Sequence, residues 1–127
     1  MNLNEIAKKL DQAAANATAT AQISTTESFS EEQAYEIQRL SLEERYARGE
    51  KFAGLKLGFT SFAKMEQMGV HDMIWGRLTD AMLYASGDTL PMDKFIHPRA
   101  EPEIAFLLKK DLDREISLAE IPEYIEA

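Results

Sequence analysis

Lys51-Phe52-Ala53-Gly54-Leu55-Lys56-Leu57-Gly58-Phe59 is the stretch of this 127-residue chain at which a helical pattern gives way to a strand pattern. Its residues alternate loosely in polarity, and its two glycines indicate a strand whose backbone lies close to another part of the protein. We therefore place a boundary near residue 50. The sequence predicts a helical region over residues 1–50 and a β-rich region over residues 51–127.

Two helices are predicted before this boundary. Apolar residues share one helical face over about residues 3–16. Ser30-Glu-Glu-Gln33 is a capping-box pattern, and it begins a second predicted helix over about residues 31–48. Gly49 is placed to end that helix. The segment 16–28 between the helices is rich in Ala, Thr and Ser and is predicted as a loop.

Shorter elements are predicted after the boundary. Thr60 or Ser61 can cap a third helix that stops at Gly69, followed by a loop over residues 70–78 and a short strand over residues 80–84.

The apolar run from Glu101 to Lys109 is the clearest strand pattern in the chain. Ser117-Leu-Ala-Glu120 is a second capping-box pattern that begins another predicted helix. Helices in the first half and strands in the second predict an α+β fold.

Composition excludes several classes of protein. The net charge of −8 argues against nucleic acid and anionic membranes as partners. The absence of cysteine excludes disulfides and thiolate metal sites, and two histidines, His71 and His97, are too few for a histidine-rich zinc site. No apolar run is long enough for a transmembrane helix and no signal peptide is visible, so we expect a cytoplasmic protein.

The pair Glu101-x-Glu103 is the strongest indication of function. In a strand, side chains at i and i+2 point to the same face, so these two carboxylates would stand side by side. Such neighbours repel each other unless a proton or a cation lies between them, and a hard divalent cation with oxygen ligands satisfies both. The alternative is a solvated edge strand marked by Pro102. At least one further ligand would be needed.

Four other residues are candidates for the same site. Lys56 lies between two leucines in a strand that looks buried. It either binds a substrate carboxylate or moves a proton, or else it reaches solvent or pairs with a structural carboxylate. Thr60 and Ser61 are either a simple helix cap or, with the helix N-terminus, an anion site. Arg99 is either a substrate contact or a surface ion-pair partner.

The joint order of these segments resembles the 2-keto-4-pentenoate hydratase and 4-oxalocrotonate decarboxylase family, within the fumarylacetoacetate hydrolase superfamily. The resemblance covers about residues 30–112. It is carried by four segments: Gly54-Leu-Lys56-Leu-Gly58-Phe-Thr60-Ser61, Met68-Gly69-Val70, Gly76-x-Leu78 and Pro98-Arg-Ala-Glu101-Pro-Glu103-Ile-Ala-Phe.

The resemblance implies a lyase of meta-cleavage aromatic catabolism that depends on Mg²⁺ or Mn²⁺. It implies Glu101 and Glu103 as metal ligands, Lys56 as the catalytic residue, and Thr60, Ser61 and Arg99 as substrate contacts. The family's third acidic ligand would lie beyond Ala127. It further implies that residues 51–127 are the first half of a catalytic domain, part of a truncated mixed β roll.

The activity implied is decarboxylation of 4-oxalocrotonate, a small 2-oxo acid, to 2-hydroxypenta-2,4-dienoate. Segments such as Ile74-Trp-Gly76 and His97-Pro98 are more similar to the decarboxylases, whereas Leu78-Thr-Asp-Ala-Met82 and Lys109-Lys-Asp-Leu112 also occur in the hydratases. Hydration of 2-keto-4-pentenoate is therefore the alternative. A second alternative is an inactive fragment or partner subunit. The resemblance also implies a homo-oligomer or a decarboxylase–hydratase complex.

Overall fold

The first half of the chain is a helical hairpin. The computed structural model describes residues 2–127, and in it α1 (Leu3–Ala15) packs against α2 (Glu31–Ala47). The loop between them contains a single 3₁₀ turn at Ile23–Thr25. Asn2 caps α1 because its side-chain oxygen accepts hydrogen bonds from the first-turn amides. Both predicted helices are confirmed to within a residue at each end.

The capping box that begins α2 is confirmed in full. The Ser30 hydroxyl accepts from the Gln33 amide at 3.3 Å, and the Gln33 side chain accepts from the Ser30 amide at 2.9 Å. This reciprocal pair satisfies two donors that a helix N-terminus would otherwise leave without partners. The helix then buries Ile37 and Leu42 against α1, whose Ala7 is also buried. The apolar core of the described chain is therefore small and centred on the hairpin.

An ion pair locks the end of α2 to the middle of α1. Asp11 is only 3 % exposed, and its carboxylate accepts two hydrogen bonds from the Arg48 guanidinium, at 2.6 and 2.7 Å. This bidentate contact raises the pKa of Arg48 above its ordinary value. Arg45 approaches the same carboxylate at 3.9 Å. A buried charge on α1 is thus compensated from the helix end where the chain turns towards the sheet.

The sheet has two antiparallel strands, β1 (Phe52–Gly58) and β2 (Ile74–Thr79). A bulge lies between Phe52 and Gly54, after which Lys56 stands opposite Gly76. The chain changes from helix to strand between residues 47 and 52, and the α+β composition is confirmed.

The segment around β2 differs from the prediction. Residues 70–78 were expected as a loop, but six residues from Ile74 pair with β1, and pairing across the sheet is not visible in local sequence. The predicted strand over residues 80–84 is wrong, because Asp80–Met82 forms a 3₁₀ turn. The Asp80 carboxylate causes that turn by accepting from the amides of Lys51, at 2.9 Å, and Ala81, at 3.0 Å.

Two further helices are short. The predicted third helix is confirmed as α3 (Phe62–Met68), which ends at Gly69 in the left-handed region with φ 66°. The helix predicted from Ser117 begins later, because α4 covers only Ile121–Tyr124. The Ser117 amide and hydroxyl do bind the Glu120 carboxylate, each at 2.8 Å, but they close a turn before the helix.

The predicted strand from Glu101 to Lys109 is wrong for the described residues. Within residues 2–127, this segment takes part in a single isolated bridge, between Leu108 and Ile125. Its apolar side chains are largely exposed, with Ile104 at 84 % and Phe106 at 63 %. A strand pattern forms a strand only where a neighbouring strand accepts its hydrogen bonds.

In the part of the chain that the structure describes, no helix combines the length and the apolar character needed to cross a membrane.

Candidate metal centre

Lys56 lies in the middle of β1, and its surroundings on the sheet are set by glycines. Gly54 and Gly58 share its face of the strand, and Gly76 is its partner on β2. Because glycine has no side chain, few side chains surround Lys56 on this face of the sheet. The expectation that this strand is buried was wrong, because the Lys56 side chain is 46 % exposed.

The structure brings Lys56 together with both predicted carboxylates. The ammonium nitrogen donates to Glu103 Oε1 at 2.5 Å and lies 4.0 Å from Glu101 Oε2. Glu101 and Glu103 are thus near each other through a shared cation and not through strand alternation. All three side chains are about half exposed or more, so the cluster is open to solvent and to ligands.

This donor set fits a hard divalent cation. Two carboxylates already converge on one positive charge, and their oxygens are the ligand type that Mg²⁺ and Ca²⁺ prefer. Mg²⁺ is commonly held by one or two protein carboxylates, with water or substrate completing the shell. Residues 2–127 contain no cluster of three or more His, Cys, Asp or Glu side chains arranged to hold a metal. Glu101 and Glu103 would therefore hold a cation with oxygens from outside this set.

The remaining predicted site residues follow β1 along the chain. Phe59 adopts a left-handed conformation with φ 55°, uncommon for a bulky residue, and the backbone turns there from β1 towards α3. Ser61 is the N-cap of α3, and its hydroxyl accepts from the Lys64 amide at 3.2 Å. The Ser61 hydroxyl oxygen thus accepts a hydrogen bond as it would in a simple helix cap. Thr60 and Arg99 are exposed, and the structure records no side-chain hydrogen bond for either among the described residues.

The sequence did not indicate how the sheet is attached to the helical hairpin. Trp75 stacks on Tyr35 of α2 with ring centroids 4.9 Å apart, and Gln38 donates to the Trp75 carbonyl at 3.1 Å. These contacts hold β2, and through it the Lys56 strand, against α2. The sequence carried no local signal for them, because the residues involved are about 40 positions apart.

A groove of about 660 Å³ lies away from the carboxylate cluster. It is lined by Arg45 and Arg48 of the hairpin and by the loop over residues 93–96. Both arginines are already paired with carboxylates, Arg45 with Glu50 and Arg48 with Asp11.

Curated relatives match all or much of the chain. It is 44 % identical over all 127 residues to a 4-oxalocrotonate decarboxylase of Pseudomonas sp., and the match covers 50 % of that protein. It is 47 % identical over 112 residues to a 2-hydroxypent-2,4-dienoate hydratase of Pseudomonas putida, covering 87 % of this chain and 50 % of the relative. The chain thus spans about half the length of these relatives. A comparison with models of known protein families finds none that matches.

A solved structure agrees with the sequence relationship. 4-Oxalocrotonate decarboxylase from Pseudomonas putida G7, complexed with calcium and acetate, superposes with a TM-score of 0.71 at 32 % identity, over 75 % of this chain and 37 % of that one. The same enzyme complexed with magnesium and adipate superposes with a TM-score of 0.59 at 34 % identity, over 62 % and 30 % of the two chains. The chain is therefore a relative of the 4-oxalocrotonate decarboxylases and 2-keto-4-pentenoate hydratases, and it corresponds to about half of such an enzyme.

Proposed function

We propose that this chain provides the Lys56, Glu101 and Glu103 part of a lyase active site that uses Mg²⁺ or Mn²⁺ and decarboxylates 4-oxalocrotonate. The observation that carries the proposal is the convergence of both carboxylates on the Lys56 ammonium. Glu103 lies 47 positions after Lys56 in the sequence, and Glu101 is two positions before Glu103, yet all three side chains come together in the structure. In this proposal residues 51–127 contribute the first half of the catalytic domain, and residues 1–50 support it.

The reaction moves one pair of electrons along a conjugated chain. When the bond to the distal carboxylate breaks, carbon dioxide leaves and the bonding electrons shift through the carbon chain to the oxygen at C2. That oxygen then takes up one proton, and the product is 2-hydroxypenta-2,4-dienoate. A divalent cation held by Glu101 and Glu103 would act as a Lewis acid towards the 2-oxo acid end of the substrate.

The chain's own residues have separate roles in this proposal. Lys56, half exposed beside the two carboxylates, is placed to bind a substrate carboxylate or to deliver the proton. Arg99 is close in sequence to the glutamates and can add positive charge for the second substrate carboxylate. Thr60 and Ser61 complete the substrate contacts at the start of α3; the Ser61 oxygen already serves as the cap, which leaves its hydroxyl hydrogen to donate.

Decarboxylation is preferred to hydration for a specific reason. The match to the decarboxylase covers the entire chain, whereas the match to the hydratase covers 87 % of it. The two solved structures described above are also decarboxylase structures. The hydratase of Pseudomonas putida is nevertheless 47 % identical to this chain, which is similar to the 44 % identity of the decarboxylase. Hydration of 2-keto-4-pentenoate is therefore the second candidate.

The deciding experiment supplies each substrate in turn. A full-length version of the protein is incubated with Mg²⁺ and 4-oxalocrotonate while released carbon dioxide is measured. It is incubated separately with 2-hydroxypenta-2,4-dienoate while loss of the diene absorbance is followed. We expect carbon dioxide to be released from the first substrate. The rate of that release should be strongly reduced in the Glu103→Gln variant. Diene consumption without carbon dioxide release would show that the chain belongs to a hydratase.

A further inference from the structure

The bulge in β1 divides its pairing with β2 into two registers. Phe52 pairs with Thr79. Two residues later along β1, Gly54 pairs with Leu78, only one residue further along β2, so Ala53 is an extra residue at this point. From Gly54 onwards every partner is therefore displaced by one residue from the register that the first pair would set. Because side chains alternate between the two faces of a strand, such a displacement reverses the face to which each later side chain of β1 points relative to β2.

The displaced register decides the face of Lys56. In this bulged register Lys56 stands opposite Gly76, and its ammonium nitrogen reaches Glu103 at 2.5 Å. If the first pair were continued without the bulge, Lys56 would stand opposite Trp75 instead, on the other face of the sheet and turned away from Glu103. The contact between the lysine and the carboxylates therefore depends on the bulged register.

The contacts before the bulge hold the first pair and do not explain the displacement. The hydroxyl of Thr79, a fully buried residue, donates to a Glu50 carboxylate oxygen at 2.5 Å. The Asp80 amide donates to the Lys51 carbonyl at 2.9 Å, and the Lys51 amide donates to the Asp80 carboxylate at 2.9 Å. All of these contacts fix the end of the sheet at which the strands are not yet displaced. The displaced register is stabilised by contacts on the other side of the bulge.

Trp75 lies beyond the bulge, and α2 holds it in three ways. Its amide donates to the Tyr35 hydroxyl at 3.3 Å, its carbonyl accepts from the Gln38 side chain at 3.1 Å, and its ring stacks on Tyr35 with centroids 4.9 Å apart. In the bulged register its partner on β1 is Leu57, and an aromatic residue opposite an aliphatic one stabilises a sheet. Trp75 thus has a fixed position and an apolar partner only in this register.

The register without the bulge would place charges badly. Lys56 would take the place of Leu57 opposite Trp75, on the face where the Arg77 guanidinium already lies 5.8 Å from the Trp75 ring centroid. Two cations would then share one aromatic ring, and their repulsion disfavours this arrangement.

We propose that Trp75 is a positioning residue for Lys56. Its stacking on Tyr35 and its pairing with Leu57 select the bulged register, and that register turns Lys56 towards the carboxylates. Trp75 acts through strand pairing and takes no part in the chemistry. The importance of Lys56 rests on the proposed function, but the measurements below are not activities. A failure of this inference is therefore distinguishable from a failure of the proposed reaction.

Cross-linking with a carbodiimide, which joins an amine to a carboxylate in contact with it, tests the position of Lys56. The unaltered chain should give a linked Lys56–Glu103 peptide by mass spectrometry. Trp75→Ala should lower the yield of this link by about tenfold, and Trp75→Phe should restore most of it because phenylalanine keeps a ring that can stack. The Lys8–Glu44 link between α1 and α2 is the internal control, and its yield should be the same in all three chains.

Disulfide trapping measures the register itself, since the chain contains no cysteine that could interfere. Leu55→Cys with Arg77→Cys matches the bulged register, whereas Gly54→Cys with Arg77→Cys matches the register without the bulge. When Trp75 is present, the first pair should form the disulfide and the second should not. In the Trp75→Ala background, the yield of the second pair relative to the first should rise by at least about tenfold.

Tyr35→Ala is a second variant, because it removes the stacking partner on α2 and leaves the sheet sequence unchanged. It should give the same result as Trp75→Ala in both measurements. A Lys56–Glu103 link that survived both substitutions would overturn the proposal. So would a lost link with an unchanged disulfide preference, because the lysine would then have moved without a change of register.

Discussion

Lys56 and Glu103 form an ion pair across 47 positions of sequence, with the ammonium nitrogen 2.5 Å from a carboxylate oxygen and Glu101 reaching the same nitrogen at 4.0 Å. The Lys56 ammonium is thus the cation that both carboxylates approach. A divalent ion that bound both glutamates would therefore have to displace Lys56 or share them with it. Lys56 is in this sense an internal competitor for the metal as well as a candidate acid.

Replacing the lysine tests this competition. Lys56→Met should tighten Mg²⁺ binding by about two- to fivefold, because an exposed ion pair of this kind contributes ~0.4–1 kcal/mol that the metal must otherwise overcome. Decarboxylation should fall at the same time. Isothermal titration calorimetry measures the affinity, and Lys64→Met on α3 is the control. If Lys56→Met weakened binding instead, Lys56 would be holding the carboxylates in place for the metal.

Removing one ligand tests the metal site. Glu103→Gln keeps the size of the side chain but removes the charge, and one amide oxygen is a weaker ligand for a hard cation. Any rise in melting temperature that Mg²⁺ causes in the unaltered chain should disappear in this variant. Differential scanning fluorimetry with and without Mg²⁺ measures it, with Glu66→Gln as a control outside the cluster. A shift that survived Glu103→Gln would contradict the ligand assignment.

Replacing Asp11 and replacing Arg48, the two members of one ion pair, should lower the free energy of unfolding by different amounts. Arg48→Leu leaves a carboxylate that is 3 % exposed with only Arg45 nearby, so we expect a loss of about 3 kcal/mol in the free energy of unfolding. Asp11→Asn should cost less, about 1–2 kcal/mol, because the Arg48 side chain is 44 % exposed and can be hydrated. Urea unfolding measures both. Equal losses would contradict the view that the buried carboxylate dominates.

As a comparison, Arg39→Leu removes the surface pairs of Arg39 with Glu36 and Glu43 on α2. The loss in the free energy of unfolding should be much smaller than for Arg48→Leu, because exposed pairs within one helix contribute little.

The turn before α4 should be sensitive to acid. The Arg114 guanidinium, 2.6 Å from Glu120, together with Ser117, lowers the pKa of Glu120 to about 2 from an ordinary value of 4.5. Because the pKa is lowered in the folded state, the contribution of the ionised carboxylate is complete above pH 4.5. It is lost as the pH falls through 2. Carbon-13 NMR titration of the Glu120 carboxyl measures the pKa directly.

Arg114→Leu should raise that pKa towards its ordinary value, because Arg114 is the largest cause of the shift. Lys110→Leu is the control and should move it much less, since Lys110 acts only by a weak charge interaction. A pKa that stayed near 2 in Arg114→Leu would assign the effect to Ser117 instead.

Local patterns predicted the first three helices well. The capping box at Ser30, the apolar face of α1 and the left-handed glycine at Gly69 each depend on residues within one or two turns, so they are legible in the sequence. The strands were predicted less well. β2 and the segment from Glu101 were misassigned because a strand is stabilised by its neighbour, and the neighbour is not encoded nearby.

In the candidate site, too, some features could be recognised in the sequence and others depended on the tertiary structure. The sequence by itself determined which residues are candidates for the chemistry, because a pair of carboxylates, a lysine and a capped helix start are recognisable by type and order. Only the tertiary structure decided that Lys56 meets Glu101 and Glu103, and that Thr60 and Arg99 lie outside their contacts. The physical reason is that an ion pair between residues 47 positions apart forms only after the chain has folded back on itself, and that path is set by packing and pairing far from the residues that meet.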